Sequence, residues 1–233
     1  MSTSLEEHSV RFAADVQATL DGVLPGKRHV VPTRFQGEER YIVRTTEKNV
    51  ALHVGGEHLA DMYLSFGLSL DRSGEYLKTV RTDLALKSVL DNTPLARLDY
   101  RADMNRAPVT HWNIHAERGA FSHLLARAHA VDPERVSRPH ALSSLHFPVG
   151  GERFRPCLED FLQFLVEECG VDSVDGWSEV VNRGRQQWRR RQLRSTVRDA
   201  QEEAADVLRR LGWSVERTDL VDPEEYRPTL ERW

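Results

Sequence analysis

Three short stretches of the chain carry side chains whose types and spacing suit chemistry. The first runs Val109-Thr110-His111-Trp112-Asn113-Ile114-His115-Ala116. Written as a β-strand, it sets Thr110, Trp112, Ile114 and Ala116 on one face and gathers His111, Asn113 and His115 on the other, because successive side chains alternate. Imidazoles titrate near neutral pH and serve as general acids, general bases or metal ligands, and an asparagine amide can hold an anionic oxygen. The strand before it offers Arg97, Asp99 and Arg101 on one side and Leu98, Tyr100 and Ala102 on the other. If the two strands form a hairpin, Asp99 or an arginine stands beside a histidine. On a strand His111 and His115 are about 13 Å apart and rarely share one ion, at roughly 3.3 Å per residue. A helix opened by Pro108 would instead stack the pair as half of a zinc site, with His123, His129, His140 or His146 as further ligands. The alternating Val, Trp and Ile favour the strand, and the metal content is left open.

The second stretch is His146-Phe147-Pro148-Val149-Gly150-Gly151-Glu152-Arg153-Phe154-Arg155-Pro156. A Gly-Gly turn leads through two arginines into a helix start, where backbone N–H groups and the forks of Arg153 and Arg155 suit a phosphate or carboxylate. An ordinary structural turn is the competing interpretation, and His146 is a further acid or base candidate.

The third is a run of arginines, Arg183, Arg185, Arg189, Arg190, Arg191, Arg194 and Arg198, with Trp188 and no acidic residue among them. On a helix Trp188, Arg191, Ser195 and Arg198 share a side, so arginines can grip phosphates while an aromatic stacks on a base. The alternative is a solvated face paired with Asp199, Glu202, Glu203 and Asp206 or with a partner protein.

Elements must exist to position these groups, and the chain has the means to build them. It has 233 residues, 39% of them hydrophobic and 29% charged, enough for one substantial core with an appended unit. Thirty-two basic against 36 acidic residues give a net charge of -4, which excludes a uniformly basic coat protein while allowing a local basic patch. No apolar run approaches a membrane span, and the N-terminus lacks the pattern of a secretory signal, so a cytoplasmic location without membrane partners is expected. Cys157 and Cys169, the two cysteines, are about 18 Å apart on one helix at 1.5 Å per residue and cannot pair there. No Walker loop, GxGxxG, GxSxG or HExxH motif occurs, which argues against a nucleotide-cofactor enzyme and leaves any other cofactor open.

A capping box at Ser4 and Glu7 opens an amphipathic helix that Leu24-Pro25-Gly26 ends. Between residues 39 and 116 short β-rich runs joined by turns predict a meandering antiparallel sheet of four to six strands. Leu64, Phe66, Leu68 and Leu70 share its buried side. A helix is expected over 119–130, a strand over 141–149, and a strong helix from Pro156 to Gly170 that packs on the sheet. From Asp175 two apolar stripes run out of phase, so the helix bends around residues 189–192 or shows two faces to two neighbours. Trp213-Ser214-Val215 suits a short strand, and residues 219–233 read as a polar tail. The fold class is therefore α+β, an antiparallel sheet covered by helices, with residues 1–170 as the core domain and 171–233 as an Arg-rich helical extension.

Over residues 95–117 the order of an Arg-x-Asp strand, a hairpin and a His-bearing strand resembles small bacterial toxin-like proteins of toxin–antitoxin or phage-defence loci. No residue role is carried over from that resemblance; it turns the expectation towards nucleic acid. The expected function is a phosphodiester-cleaving enzyme acting on RNA. His111 and His115, with Asp99 and His146, are its acid and base candidates. Asn113, Arg153 and Arg155 stabilise the phosphate, and Arg185, Trp188, Arg189, Arg191, Arg194 and Arg198 hold the backbone. The alternative is a non-enzymatic adaptor or assembly subunit that binds nucleic acid or a protein through the same helix.

Overall fold

The computed structural model describes residues 4–35, 39–90, 94–105, 108–115, 126, 129–130, 133–134, 138, 141, 147–149, 152–218 and 225–232. It begins with helix α1 (Leu5–Val23), whose capping box closes as the sequence predicts: the Glu7 N–H donates to Ser4 Oγ, and the Ser4 N–H donates to the Glu7 carboxylate. At the other end Arg28 reaches back and donates to the carbonyls of Leu24, Pro25 and Gly26. These carbonyls belong to the C-cap residue and the two residues after it, so the arginine ties down the chain as it leaves the helix.

Among the described residues eight strands follow: β1 (Val30–Arg34), β2 (Tyr41–Thr45), β3 (Val50–Val54), β4 (Glu57–Leu70), β5 (Leu77–Ser88), β6 (Pro94–Arg101), β7 (Thr110–Ile114) and β8 (Phe147–Pro148). All pairings are antiparallel, in the order β1-β2-β4-β5-β6-β7-β8, with β3 also on β4. β2 covers residues 65–68 of the long β4 and β3 covers residues 57–62, so the two act as one strand interrupted at residues 46–49. The sheet is the expected meander with more strands than the expected four to six. Gly55 and Gly56, at φ +61° and +82°, turn β3 into β4; a two-residue turn of this hand needs positive φ at both positions. The carboxylate of Asp172 holds the turn, accepting from both glycine N–H groups at 2.8 and 2.7 Å.

Helices cover one face of the sheet. Leu64, Phe66 and Leu68 on β4, Leu84 and Leu86 on β5 and Leu98 on β6 are buried against Ala13, Val16 and Leu20 of α1 and against Phe161, Leu162 and Leu165. The last three belong to α2 (Leu158–Gln163) and the π-helical turn Phe164–Glu168 that continues it. Trp112 of β7 stacks on Phe161 and meets Phe164 edge-on. Cys157 and Cys169 bracket this helical segment as free thiols, and burial pushes the Cys157 thiol far above its ordinary range.

Helix α3 (Trp177–Asp199) joins the same core through Val181, Trp177 and Val180. It approaches α2 closely at Gly184, where an added Cβ would lie 3.0 Å from Glu159 Cγ and closer still to its carboxylate. Glu159 is itself buried, so Gly184→Ala is expected to destabilise the fold by about 1–3 kcal/mol in urea denaturation, the usual cost of overpacking. The out-of-phase stripes left two alternatives, a bend at residues 189–192 or two faces of one helix; the structure has no interruption of the helix at 189–192. α3 runs unbroken to Asp199, and the helical path breaks at Ala200 (φ -135°, ψ 71°) before α4 (Gln201–Arg210). Trp213, Ser214 and Val215 form no strand, and the tail adds the short helix α5 (Pro228–Glu231). The helix expected over residues 119–130 lies largely outside the described residues, as does most of the strand expected over 141–149.

Candidate functional site

The face of the sheet away from the helices is charged, and alternation explains its make-up. On β5 the residues Arg81 and Asp83 face opposite to Leu84 and Leu86. On β6 the residues Arg97, Asp99 and Arg101 face opposite to Leu98 and Tyr100, and on β7 His111 and Asn113 face opposite to Trp112. The register then aligns them across the strands. Asp83 lies opposite Asp99 and Asp99 opposite His111, forming one row; Arg97 lies opposite Asn113, and Arg81 opposite Arg101. A cleft of about 450 Å³ opens over these rows, lined by Arg81, Asp83, Arg97, Asp99, Arg101 and His111, with Asp103, Met104 and Asn105 from the β6–β7 connection.

Asp99 is its centre. The carboxylate accepts from Asn113 Nδ2 at 3.3 Å, with Arg97 at 3.4 Å and His111 Nε2 at 3.8 Å from the same oxygen. Burial raises its pKa above the ordinary carboxyl range, and the neighbouring Asp83 adds to the rise against the opposing pull of Arg97, His111 and Arg101. Asp83 is braced by Arg81, whose Nε and terminal nitrogen donate to its two oxygens at 2.5 and 3.0 Å. His111 is almost fully buried, and its Nδ1 lies 2.9 Å from the carbonyl of Pro108. A carbonyl can only accept, so Nδ1 carries a proton and Nε2 is the atom turned to Asp99. Asn113 is fully buried, and Asn113 Oδ1, Arg97 Nε and His115 Nε2 are buried without hydrogen-bond partners. Burial, then the charge of Arg97, lower the His115 pKa.

The structure therefore brings Asp99, His111 and Asn113 together and leaves His115 at the end of β7, with its N–H bonded to Leu95 O. His146 lies outside the described residues. The strand geometry removes the helical His-x-x-x-His alternative, and among the described residues no group of three or more His, Cys, Asp or Glu side chains could hold a metal ion. Arg81, Asp83 and Asp103 were not among the sequence candidates, and Arg101 was noted only as a neighbour of Asp99 on its strand. Their signal was the thrice-repeated Arg-x-Asp step, Arg81-Thr82-Asp83, Arg97-Leu98-Asp99 and Arg101-Ala102-Asp103.

Arg153 and Arg155 sit elsewhere. The Arg153 guanidinium grips Asp199 at 2.6 and 2.8 Å, and Asp199 also accepts from the Thr229 hydroxyl. The Arg155 guanidinium lies 4.0 Å above the Tyr100 ring and 5.6 Å from that of Trp188, and it donates to the Glu152 carbonyl. Burial holds the Arg155 pKa low and raises that of Tyr100.

The arginines of α3 divide into two groups. Arg185 donates to Asp160 and Gln163, Arg191 pairs with Asp15, and Arg198 lies 4.1 Å above the Tyr76 ring. Arg183, Arg189, Arg190 and Arg194 are exposed. Since α3 packs on the apolar side, it is separated from the cleft by the sheet itself.

Fold and cleft together define an antiparallel meander backed by helices, with a cleft of carboxylates and arginines on the face away from the described helices. No protein-family model matches the chain, and no curated protein or solved structure matches it. No helix among the described residues is long and apolar enough to cross a membrane.

Proposed function

We propose that this chain acts on a nucleic-acid phosphodiester, RNA in preference to DNA, and that the cleft over β5, β6 and β7 is the site. The observation that carries the reading is the row Asp83, Asp99, His111 flanked by Arg81, Arg97 and Arg101 in a single cleft. Arginine forks match a phosphate's oxygens, and a carboxylate whose pKa is raised is a stronger proton acceptor than an ordinary one. At 3.8 Å, Asp99 and His111 are too close to stand on opposite sides of a phosphorus atom. They work as one proton-handling unit, with Asp99 towards the substrate and His111 positioning it.

RNA supplies its own nucleophile, which suits a site with a single such unit. The 2′-hydroxyl proton passes to the Asp99 carboxylate as the O2′–P bond forms. The P–O5′ bond breaks on the far side of the phosphorus, the leaving 5′ oxygen takes a proton from water, and Asp99 returns its own proton to solvent, giving a 2′,3′-cyclic phosphate and a 5′-hydroxyl. The test is a labelled panel of RNA, DNA and RNA with a single 2′-deoxy substitution at the cleavage position. Cleavage of RNA that stops at the 2′-deoxy position supports the proposal, and an intact panel overturns it.

A second reading, a binding adaptor, is favoured by the exposed Arg183, Arg189, Arg190 and Arg194. It predicts nucleic-acid affinity that falls steeply with salt, by a slope of about -0.9 per phosphate neutralised on duplex DNA. Replacing these four arginines by glutamine is expected to flatten that slope in a fluorescence-anisotropy titration, whereas the cleft proposal leaves cleavage by this variant intact.

A further inference from the structure

Three buried polar atoms beside the cleft, Arg97 Nε, Asn113 Oδ1 and His115 Nε2, have no hydrogen-bond partner among the described residues. The strand register sets them next to one another. Arg97 lies opposite Asn113 across β6 and β7. His115 follows Asn113 by two residues on the same face, and its N–H carries the pairing on to Leu95 O. Asn113 thus stands between the other two. Its amide is fixed, because Asp99 accepts from Nδ2 at 3.3 Å and so leaves Oδ1 as the unmatched atom. Arg97 and Asp99 both line the cleft, and both act on the charge of His115, so the three groups belong to one site. A buried donor or acceptor without a partner is costly, and native folds keep few of them. Three on neighbouring positions call for a ligand whose own donors and acceptors match theirs.

The order of donor and acceptor sets the match. Arg97 Nε–H only donates and Asn113 Oδ1 only accepts. Burial, then the charge of Arg97, favour the neutral His115 ring, which offers Nε2 as donor or acceptor by choice of tautomer. We infer that Arg97, Asn113 and His115 read the Watson–Crick edge of a base with a ring N–H between two polar groups, uracil or guanine, and so select the nucleotide held in the cleft. Uracil donates N3–H to Asn113 and accepts at O4 from Arg97 and at O2 from His115. Guanine donates N1–H to Asn113, accepts at O6 from Arg97 and donates from its 2-amino group to His115. Cytosine and adenine carry an acceptor at the central ring nitrogen, which would face the Asn113 oxygen. Shifting either base so that its amino group meets Asn113 serves Arg97 but leaves His115 Nε2 unmatched. Unstacked bases of single strands are recognised on this edge. The inference rests on the cleft being a nucleic-acid site, and it holds with or without cleavage there.

The test reads affinity by fluorescence anisotropy on single-stranded pentamers of deoxyadenosine whose central residue is deoxyuridine, deoxyguanosine, deoxycytidine or deoxyadenosine. These lack the 2′-hydroxyl and stay intact by the proposed cleavage route. The deoxyuridine and deoxyguanosine pentamers are expected to bind roughly 10- to 100-fold more tightly than the other two, the usual discrimination of a matched base edge. Methylation of the deoxyuridine at N3 is expected to remove its advantage. Deoxyinosine, which is deoxyguanosine without the 2-amino group, is expected to bind the wild type roughly tenfold more weakly than deoxyguanosine does. The two should bind equally to His115→Phe, which keeps a ring and lacks Nε2, with an unchanged far-UV circular dichroism spectrum showing that the variant is folded. Equal affinity for all four pentamers, or no binding by any, overturns the inference and leaves the three atoms to internal water. Selective binding beside an intact RNA panel upholds it and overturns cleavage alone; RNA cleavage beside equal affinities does the reverse.

Discussion

Asp99→Asn is expected to abolish RNA cleavage while leaving the protein at least as stable as the wild type at pH 7. The loss should be about 10²- to 10⁴-fold in turnover, the usual contribution of a positioned proton-transfer group. The stability effect follows from the direction of the Asp99 shift. Burial, with Asp83 beside it, raises the folded-state pKa above the unfolded value near ~3.9, so folding takes up a proton at this site. The favourable contribution of the protonated form is complete below the unfolded pKa and disappears as pH rises through the folded one. Asparagine keeps the shape without the titration. The stability difference between variant and wild type should therefore grow in the variant's favour as pH rises from about 4. Urea denaturation at a series of pH values, beside single-turnover cleavage, measures both. A variant that is inactive and also less stable at every pH would make Asp99 a structural residue.

Arg155→Leu is expected to destabilise the fold by about 3–5 kcal/mol, the range for removing one member of a buried charged cluster. Its guanidinium is sandwiched between Tyr100 and Trp188, and Glu152 beside it is only 3% exposed. Removing the arginine strips the Tyr100 face of its cation, frees the Glu152 carbonyl and leaves the Arg153, Glu152 and Asp199 chain without its inner end. Arg155→Lys retains the charge and loses the planar stack, so an intermediate cost is expected. Nucleic-acid affinity of the folded fraction should not change. Had Arg155 held a substrate phosphate, affinity and its salt slope would fall together while stability held.

The sheet was legible because its signal is local. Leu64, Phe66 and Leu68 repeat at the strand period, and the same alternation placed His111 and Asn113 opposite Trp112. Pairing register is not a local property. Whether Asp99 or Arg97 faces His111 depends on the length and shape of the connection between β6 and β7, and the alignment of Asp83 with Asp99 depends on the one between β5 and β6. The fates of Arg153 and Arg155 were hidden for a related reason: their partners, Asp199, Tyr100 and Trp188, are tens of residues away in the chain. The stripes alone show a change of phase without its cause, so a bend at residues 189–192 and two faces of one helix both stayed open, and the break at Ala200 was not foreseen. The contacts that the C-terminal half of α3 makes, Arg191 on Asp15 and Arg198 on Tyr76, join distant segments.

The meander also sets the order in which the molecule can assemble. Each successive sheet pairing up to β7 joins strands adjacent or nearly adjacent in the chain, so every hairpin closes a short loop at small entropic cost. During synthesis β4, β5 and β6 can pair as soon as they are made. The side chains that cover them, Phe161, Leu162 and Leu165, are made only later, and of the described helices on that face only α1 precedes the sheet. A half-made chain therefore passes through an interval with a formed sheet and an uncovered apolar face, the condition in which nascent chains aggregate or engage chaperones.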